Sequence, residues 1–209
     1  SPIGSVPSGS QDGITYLSDT SVRLQLYAPY KDFVFVVGDF NDWELSLDYL
    51  MTRSPDATQY WIEIDGLNPN EEYRFQYHVL PDDIRVADPY SEKVLDPWND
   101  EWIPEATYPD LIPFPAQLTS NEPVSVLQTG QTPYPWTDGG FSRPAKERLV
   151  IYELLVRDFT EERNYQSILD TLDYLENLGI NAIEFMPVME FNGNDSWGYN
   201  PTFYCALDK

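Results

Sequence analysis

Eight prolines, at 104, 109, 113, 115, 123, 133, 135 and 144, interrupt the middle of this 209-residue chain. Each removes a backbone donor and fixes φ, so no helix and no central strand can run through the stretch they occupy. Regular structure is thereby confined to two regions, one on each side of residues 98–146. The same stretch carries Trp98, Trp102, Tyr108, Phe114, Tyr134, Trp136 and Phe141. That is too aromatic for a solvated tether, and it predicts a linker packed across its neighbours.

Ahead of the prolines the hydrophobic period is two. Val22, Leu24 and Leu26 alternate with Arg23, Gln25 and Tyr27; Tyr60–Ile64 and Tyr73–Val79 alternate likewise, and Phe33–Val37 is a short β-branched and aromatic run. These lengths, separated by turn-forming Gly, Asn, Asp and Pro, predict half-buried strands at hairpin spacing. The segment Leu67–Tyr73 has the form of a tyrosine corner, in which the phenol bonds to backbone just upstream. Residues 13–97 therefore read as an all-β immunoglobulin-like sandwich. Residues 1–12, rich in Ser, Gly and Pro, read as a flexible tether of the kind that follows a processed N-terminus, and with it as a sign of a secreted or periplasmic protein.

Behind the prolines the pattern changes. Leu149–Arg157 is almost wholly apolar, as in a strand covered on both faces. Ile168, Leu172, Leu175 and Leu178 follow at helical spacing, Leu169 widens the stripe, and Gly179 stands where a left-handed cap would end the helix. Ile180–Met186 is a second buried strand, closed by Pro187. Strand, helix, strand at these lengths predicts a crossover unit of a parallel sheet.

Composition narrows the partners. A formal charge of −23 repels phosphate backbones and anionic lipid, which argues against nucleic-acid and membrane-surface roles. No apolar run approaches the roughly 20 residues of a membrane span. Tyr and Trp, which dominate the 15% aromatic content, suit stacking on the flat apolar faces of sugars, although aromatic cores give the same bias. Cys205 is the lone cysteine and His78 the lone histidine, so no zinc site is expected, and His78 reads as a hydrogen-bonded sheet residue. Asp82-Asp83 and Asn99-Asp100-Glu101 lack the spacing of a calcium loop. Neither a metal nor a cofactor is predicted.

The strings LVIYELLVRDF (149–159), DYLENLGINAIEFMPVMEF (173–191) and NDSWGYNP (194–201) resemble the opening of the catalytic barrel in the alpha-amylase family of glycoside hydrolases, including its pullulanase, isoamylase and branching-enzyme members. GDFNDW at 38–43 resembles the early-set, starch- or glycogen-binding-like module that precedes that barrel in many of them. The resemblance implies that residues 147–209 are the first strand, helix and strand of a (β/α)8 barrel. It implies that the intact parent acts on α-glucosidic bonds with retention, using two carboxyl groups. In the family those groups follow later strands, and the 61 residues from Leu149 fall far short of the roughly 250 of a closed barrel. No catalytic residue is therefore assigned, and the chain alone is expected to be inactive.

What the resemblance carries over is a sugar-stacking tyrosine after the second strand, which maps onto Tyr199, with Trp197 and Asn200 as neighbours that could line the site or hold the loop. In the sandwich, Trp43 and Trp61 are the candidate contacts for an α-glucan polysaccharide, with binding by the isolated chain weak or absent. The acidic residues Asp158, Glu190 and Asp195 are expected in solvated strand-end loops, and Glu153 and Glu184 to face other layers of a complete barrel. Strand edges left without neighbours predict self-association. A stand-alone glucan-binding module and a structural or interaction domain are the competing readings.

Overall fold

Strands form where the side chains alternate. In the computed structural model, which describes residues 1–119 and 121–209, they are β1 (Gly13–Ser18), β2 (Ser21–Tyr27), β3 (Phe33–Gly38), β4 (Thr52–Arg53), β5 (Gln59–Asp65), β6 (Glu72–Leu80), β7 (Ile84–Val86), β8 (Lys93–Leu95) and β9 (Val124–Gln128). One antiparallel sheet has the order β1-β2-β5-β4; the other runs β3-β6-β9-β8, with β7 also paired to β6. The register sets Leu24 opposite Ile62 and Leu26 opposite Tyr60 in the first sheet, and Val34 opposite Val79 and Val36 opposite Tyr77 in the second. Alternate side chains of both sheets therefore meet in one core, which includes Val22, Leu24, Tyr60, Phe75, Tyr77 and Leu127. The tyrosine corner is present: the Asn68 amide donates to the Tyr73 hydroxyl at 2.9 Å.

β9 departs from the sequence reading. Residues 124–128 lie inside the proline-rich stretch taken as a linker, yet they form an inner strand between β6 and β8. Pro123 precedes the strand and removes none of its ladder donors, so a five-residue VSVLQ run survives among prolines that mask it. Residues 113–119 and 121–123, ahead of β9, lie over outward side chains of β6 and β7. Arg74 Nη1 donates to the Pro113 carbonyl at 2.8 Å, Gln76 Nε2 to that of Pro123 at 2.8 Å, and Arg85 Nη1 to that of Leu118 at 2.9 Å. Gln76 is consequently buried although it faces away from the core. Five of the linker's seven aromatics are not packed as expected: Trp98, Trp102, Tyr134, Trp136 and Phe141 are exposed, while Tyr108 and Phe114 are half-buried. Tyr134 and Trp136 touch each other edge to face, with ring centroids 4.9 Å apart.

Residues 2–4, part of the expected tether, lie along β4. The Arg53 amide donates to the Pro2 carbonyl at 2.8 Å, and the Gly4 amide donates to the Arg53 carbonyl at 3.0 Å.

The chain clusters into two units, and the second comprises Trp102–Ile112, Pro133–Thr202 and Asp208–Lys209. It holds β10 (Ile151–Leu154) paired in parallel with β11 (Ala182–Phe185), connected through α1 (Val156–Phe159), α2 (Tyr165–Asp170) and α3 (Leu172–Asn177). The helix expected over this region is broken at Thr171, whose hydroxyl donates to the Ser167 and Ile168 carbonyls and competes with the helical ladder. Gly179 caps α3 with φ +90, as its position predicted. The core is small: Leu154, Ile168 and Leu175 are buried, while Leu169, Leu172 and Leu178 of the same apolar stripe remain exposed.

Candidate functional site

The motif at 38–43 is built around one carboxylate. Asp39 accepts from the Arg74 amide (2.8 Å), Arg74 Nε (2.8 Å) and Nη2 (3.0 Å), and Trp43 Nε1 (3.0 Å). Burial works to raise the Asp39 pKa, but these bonds outweigh it and hold the carboxyl below its usual range. Gly38 is required by proximity: a Cβ there would lie 2.4 Å from the Arg74 carbonyl oxygen. Asn41 ties the turn to β3 by donating to the Val36 carbonyl at 3.0 Å. Trp43, a sequence candidate for glucan contact, is only 4% exposed and presents no open ring face. The sequence shows an aromatic in a turn; only the fold shows Asp39 drawing its indole inward. Trp61 lies half-buried on the outer side of β5, its Nε1 3.5 Å from the Gly4 carbonyl.

A different constellation gathers at the C-terminal ends of the parallel strands. Gly198, with φ +86, packs so closely on Pro187 that a Cβ would lie 2.3 Å from the Pro187 carbonyl. This returns the chain to the residue that closes β11. Arg157, just after β10, donates Nη1 to the Ser196 carbonyl at 2.9 Å and pairs with Asp195 at 2.7 Å and Asp158 at 2.8 Å. The bonds it donates to Asp158 chiefly, with the fields of Asp158, Asp195 and Asp208, raise the Arg157 pKa and keep it charged. Trp197 and Tyr199, flanking Gly198, are 66% and 67% exposed. Their rings stand open on a backbone held from both strands. Asn200 is turned to the loop itself: it accepts from the Ser196 hydroxyl and donates to the Asn192 carbonyl at 3.4 Å. In parallel sheets this end of the strands is where ligands bind.

Sequence reasoning missed the charges beneath this loop. Glu190, expected in solvent, is 5% exposed and pairs with Lys209 at 2.7 Å. Asp158 and Asp195 are exposed as expected, and Glu153 and Glu184 are exposed neighbours in register across β10 and β11. Nothing in the local pattern signals an ion pair spanning 19 residues. Among the described residues, no group of three or more His, Cys, Asp or Glu comes together to hold a metal, and no helix is long and apolar enough to cross a membrane. In the sandwich, His78 Nε2 bonds Asp83 at 2.8 Å beside an open pocket of about 430 Å³ lined by His78, Asp83, Arg85, Gln117, Leu118 and Thr119.

Comparison with known proteins agrees with this architecture. The pattern of carbohydrate-binding module 48 (isoamylase N-terminal domain) matches residues 12–98. Malto-oligosyltrehalose trehalohydrolase of Saccharolobus solfataricus is 27% identical over 92% of this chain and 28% of its own length. The 1,4-alpha-glucan branching enzyme GlgB of Picrophilus torridus is 29% identical over 87% of this chain and 23% of its own. Among solved structures, pullulanase from Bacillus acidopullulyticus superimposes with TM-score 0.66 at 21% identity, covering 97% of this chain and 26% of the pullulanase. The group B Streptococcus pullulanase SAP, in complex with maltotetraose, gives TM-score 0.67 at 18% identity over 96% and 29%. The chain thus spans about a quarter of the length of these relatives. Residues 12–98 are a carbohydrate-binding module 48 domain, the N-terminal module of the alpha-amylase family, and the chain is homologous to 1,4-alpha-glucan branching enzymes and malto-oligosyltrehalose trehalohydrolases.

Proposed function

We propose that the chain is the N-terminal portion of an enzyme that hydrolyses or transfers α-glucosyl units of starch, glycogen or pullulan, with retention of configuration in the intact protein. In this reading residues 147–209 are the first strand, helix and strand of its (β/α)8 barrel. The catalytic carboxyl groups belong to later strands. The observation that carries the proposal is the exposed Trp197-Gly198-Tyr199 turn held at the C-terminal ends of two parallel strands. Tyr199 stacks on a glucosyl ring there, Trp197 flanks it, and Asn200 holds the loop.

The chain by itself binds weakly and turns nothing over. One stacking face without the rest of a pocket leaves little surplus over the cost of immobilising the sugar. The exposed Val150, just ahead of β10, with Ile151 on β10 and Phe185 on β11, supports self-association of this unit. Two measurements test the reading. Purified chain incubated with glycogen or pullulan should release no reducing ends, and reproducible release would overturn it. Affinity electrophoresis in glycogen gels should show slight retardation that Tyr199→Ala abolishes. Retardation lost instead in Trp61→Ala would move the glucan contact to the sandwich and favour a stand-alone binding module.

A further inference from the structure

Beneath the aromatic turn lies an ion pair that stability does not call for. The Glu190 and Lys209 side chains are 6% and 4% exposed and pair at 2.7 Å. Removing two charges from water costs several kcal/mol per ion, so a buried pair adds little over an apolar pair of the same shape; what it can supply is a single register. Glu190 sits where that register matters. Its carbonyl accepts from the Thr202 amide at 2.8 Å and from the Thr202 hydroxyl at 3.2 Å, and the next residue, Phe191, bridges to Pro201. Residues 190–202, which carry Trp197 and Tyr199, are thus closed at their base by the residue that holds Lys209. The Asp208 amide adds a bond to the Val188 carbonyl at 2.9 Å.

We propose that the Glu190–Lys209 pair is a latch that keeps the aromatic turn in place, and that Asp208 is the group whose charge loosens it. Burial first, and the neighbouring Glu190 charge second, push the Asp208 carboxyl up to about 7, against Lys209, the Phe191 amide and Arg157, which favour its ionised form. The Tyr165 phenol also faces Asp208, whose charge helps raise the phenol's own pKa. With Asp208 neutral, one carboxylate faces one ammonium. With Asp208 ionised, two carboxylates share it in a poorly solvated place. A carboxyl whose folded pKa lies above its ordinary 3.8 contributes closure that is complete below that value and lost as pH rises through about 7. Glu190 and Asp208 are positioning residues: they act on the sugar-facing rings through the loop. The significance of the latch rests on the proposed role of Trp197 and Tyr199, but its test involves no sugar.

Amide hydrogen exchange of the full chain, read by mass spectrometry on peptides spanning 190–202 and corrected for intrinsic rates, measures closure directly. Protection should fall between pH 5 and pH 7 by up to about tenfold per pH unit, the limit for one coupled proton, and level off above pH 7. Asp208→Asn should remove the dependence and keep the pH 5 protection at pH 7. Glu190→Gln should lower protection at every pH. Wild-type protection that is flat across this range, or an equal fall in Asp208→Asn, overturns the latch. Because Asp208→Asn removes a charge without removing bulk, it decides the matter even if Glu190→Gln does not fold. Loss of glycogen retardation with the latch intact would count against the sugar role alone.

Discussion

The sandwich and the β10–β11 unit are written in similar residues but hold together differently. In the sandwich, strands of both sheets lend inward side chains to one core, and outward side chains of β6 are held by backbone carbonyls ahead of β9. In the β10–β11 unit one parallel pair and a broken helix enclose a core cluster of three buried side chains, and three of the five residues of the apolar stripe face solvent. Hydrophobic stabilisation follows the area removed from water, at about 25 cal/mol per Å², so the same leucine stabilises far less where it has few neighbours. The comparison also locates rigidity. The second unit concentrates its polar contacts in the loop after β11, where Arg157 and Glu190 fix a turn that the thin core does not.

The largest expected effect separates the two regions outright. Phe75→Ala, in the sandwich core, should cost about 3–5 kcal/mol, read as a lower denaturation midpoint for the whole sandwich. Leu175→Ala removes one of the three buried side chains of the other unit's core cluster and should cost about 2–5 kcal/mol locally. Exchange protection should then vanish from peptides covering 150–186 while the sandwich midpoint holds. A shared loss in both regions would show that they melt as one. Gly38→Ala should follow at about 1–3 kcal/mol, because its new Cβ meets backbone rather than a yielding side chain. An unchanged thermal midpoint would mean that the turn at 38–43 slides without cost.

The smallest effect concerns a buried carboxyl in the sandwich. Asp88 accepts from the Tyr77 hydroxyl and the Tyr90 amide, and its own amide bonds to the Ser125 hydroxyl at 2.7 Å. Burial, with the Asp12 charge adding to it, raises the Asp88 pKa above its ordinary 3.8 despite those bonds. Its contribution to stability is therefore complete below that value and declines as pH rises through the folded-state value. Asp88→Asn carries no charge at any pH, so its midpoint should fall less than that of the wild type on going from pH 4 to pH 8. Parallel curves would remove Asp88 from the account. This titration and that of Asp208 share a sign but belong to different units, so the two single variants tell them apart.

Local chemistry made much of this molecule legible. Alternation marked β2, β5 and β6, a β-branched and aromatic run marked β3, Tyr73 marked its corner, Gly179 its cap, and Pro187 the end of the last strand. All of these are settled by a residue's own φ, donors and period, which neighbours within a few positions express. The strings around Gly198 pointed to Tyr199, and the structure places it on an exposed turn. What tertiary structure alone decided are the partnerships between distant residues: Asp39 with Arg74, Gln76 with the segment before β9, and Glu190 with Lys209. These turned Trp43 inward, buried a carboxylate expected in water, and made a strand of residues hidden among prolines. A sequence states which groups need a partner or a cover; which residue supplies it depends on the chain's return through space, and that determines what is left open to a ligand.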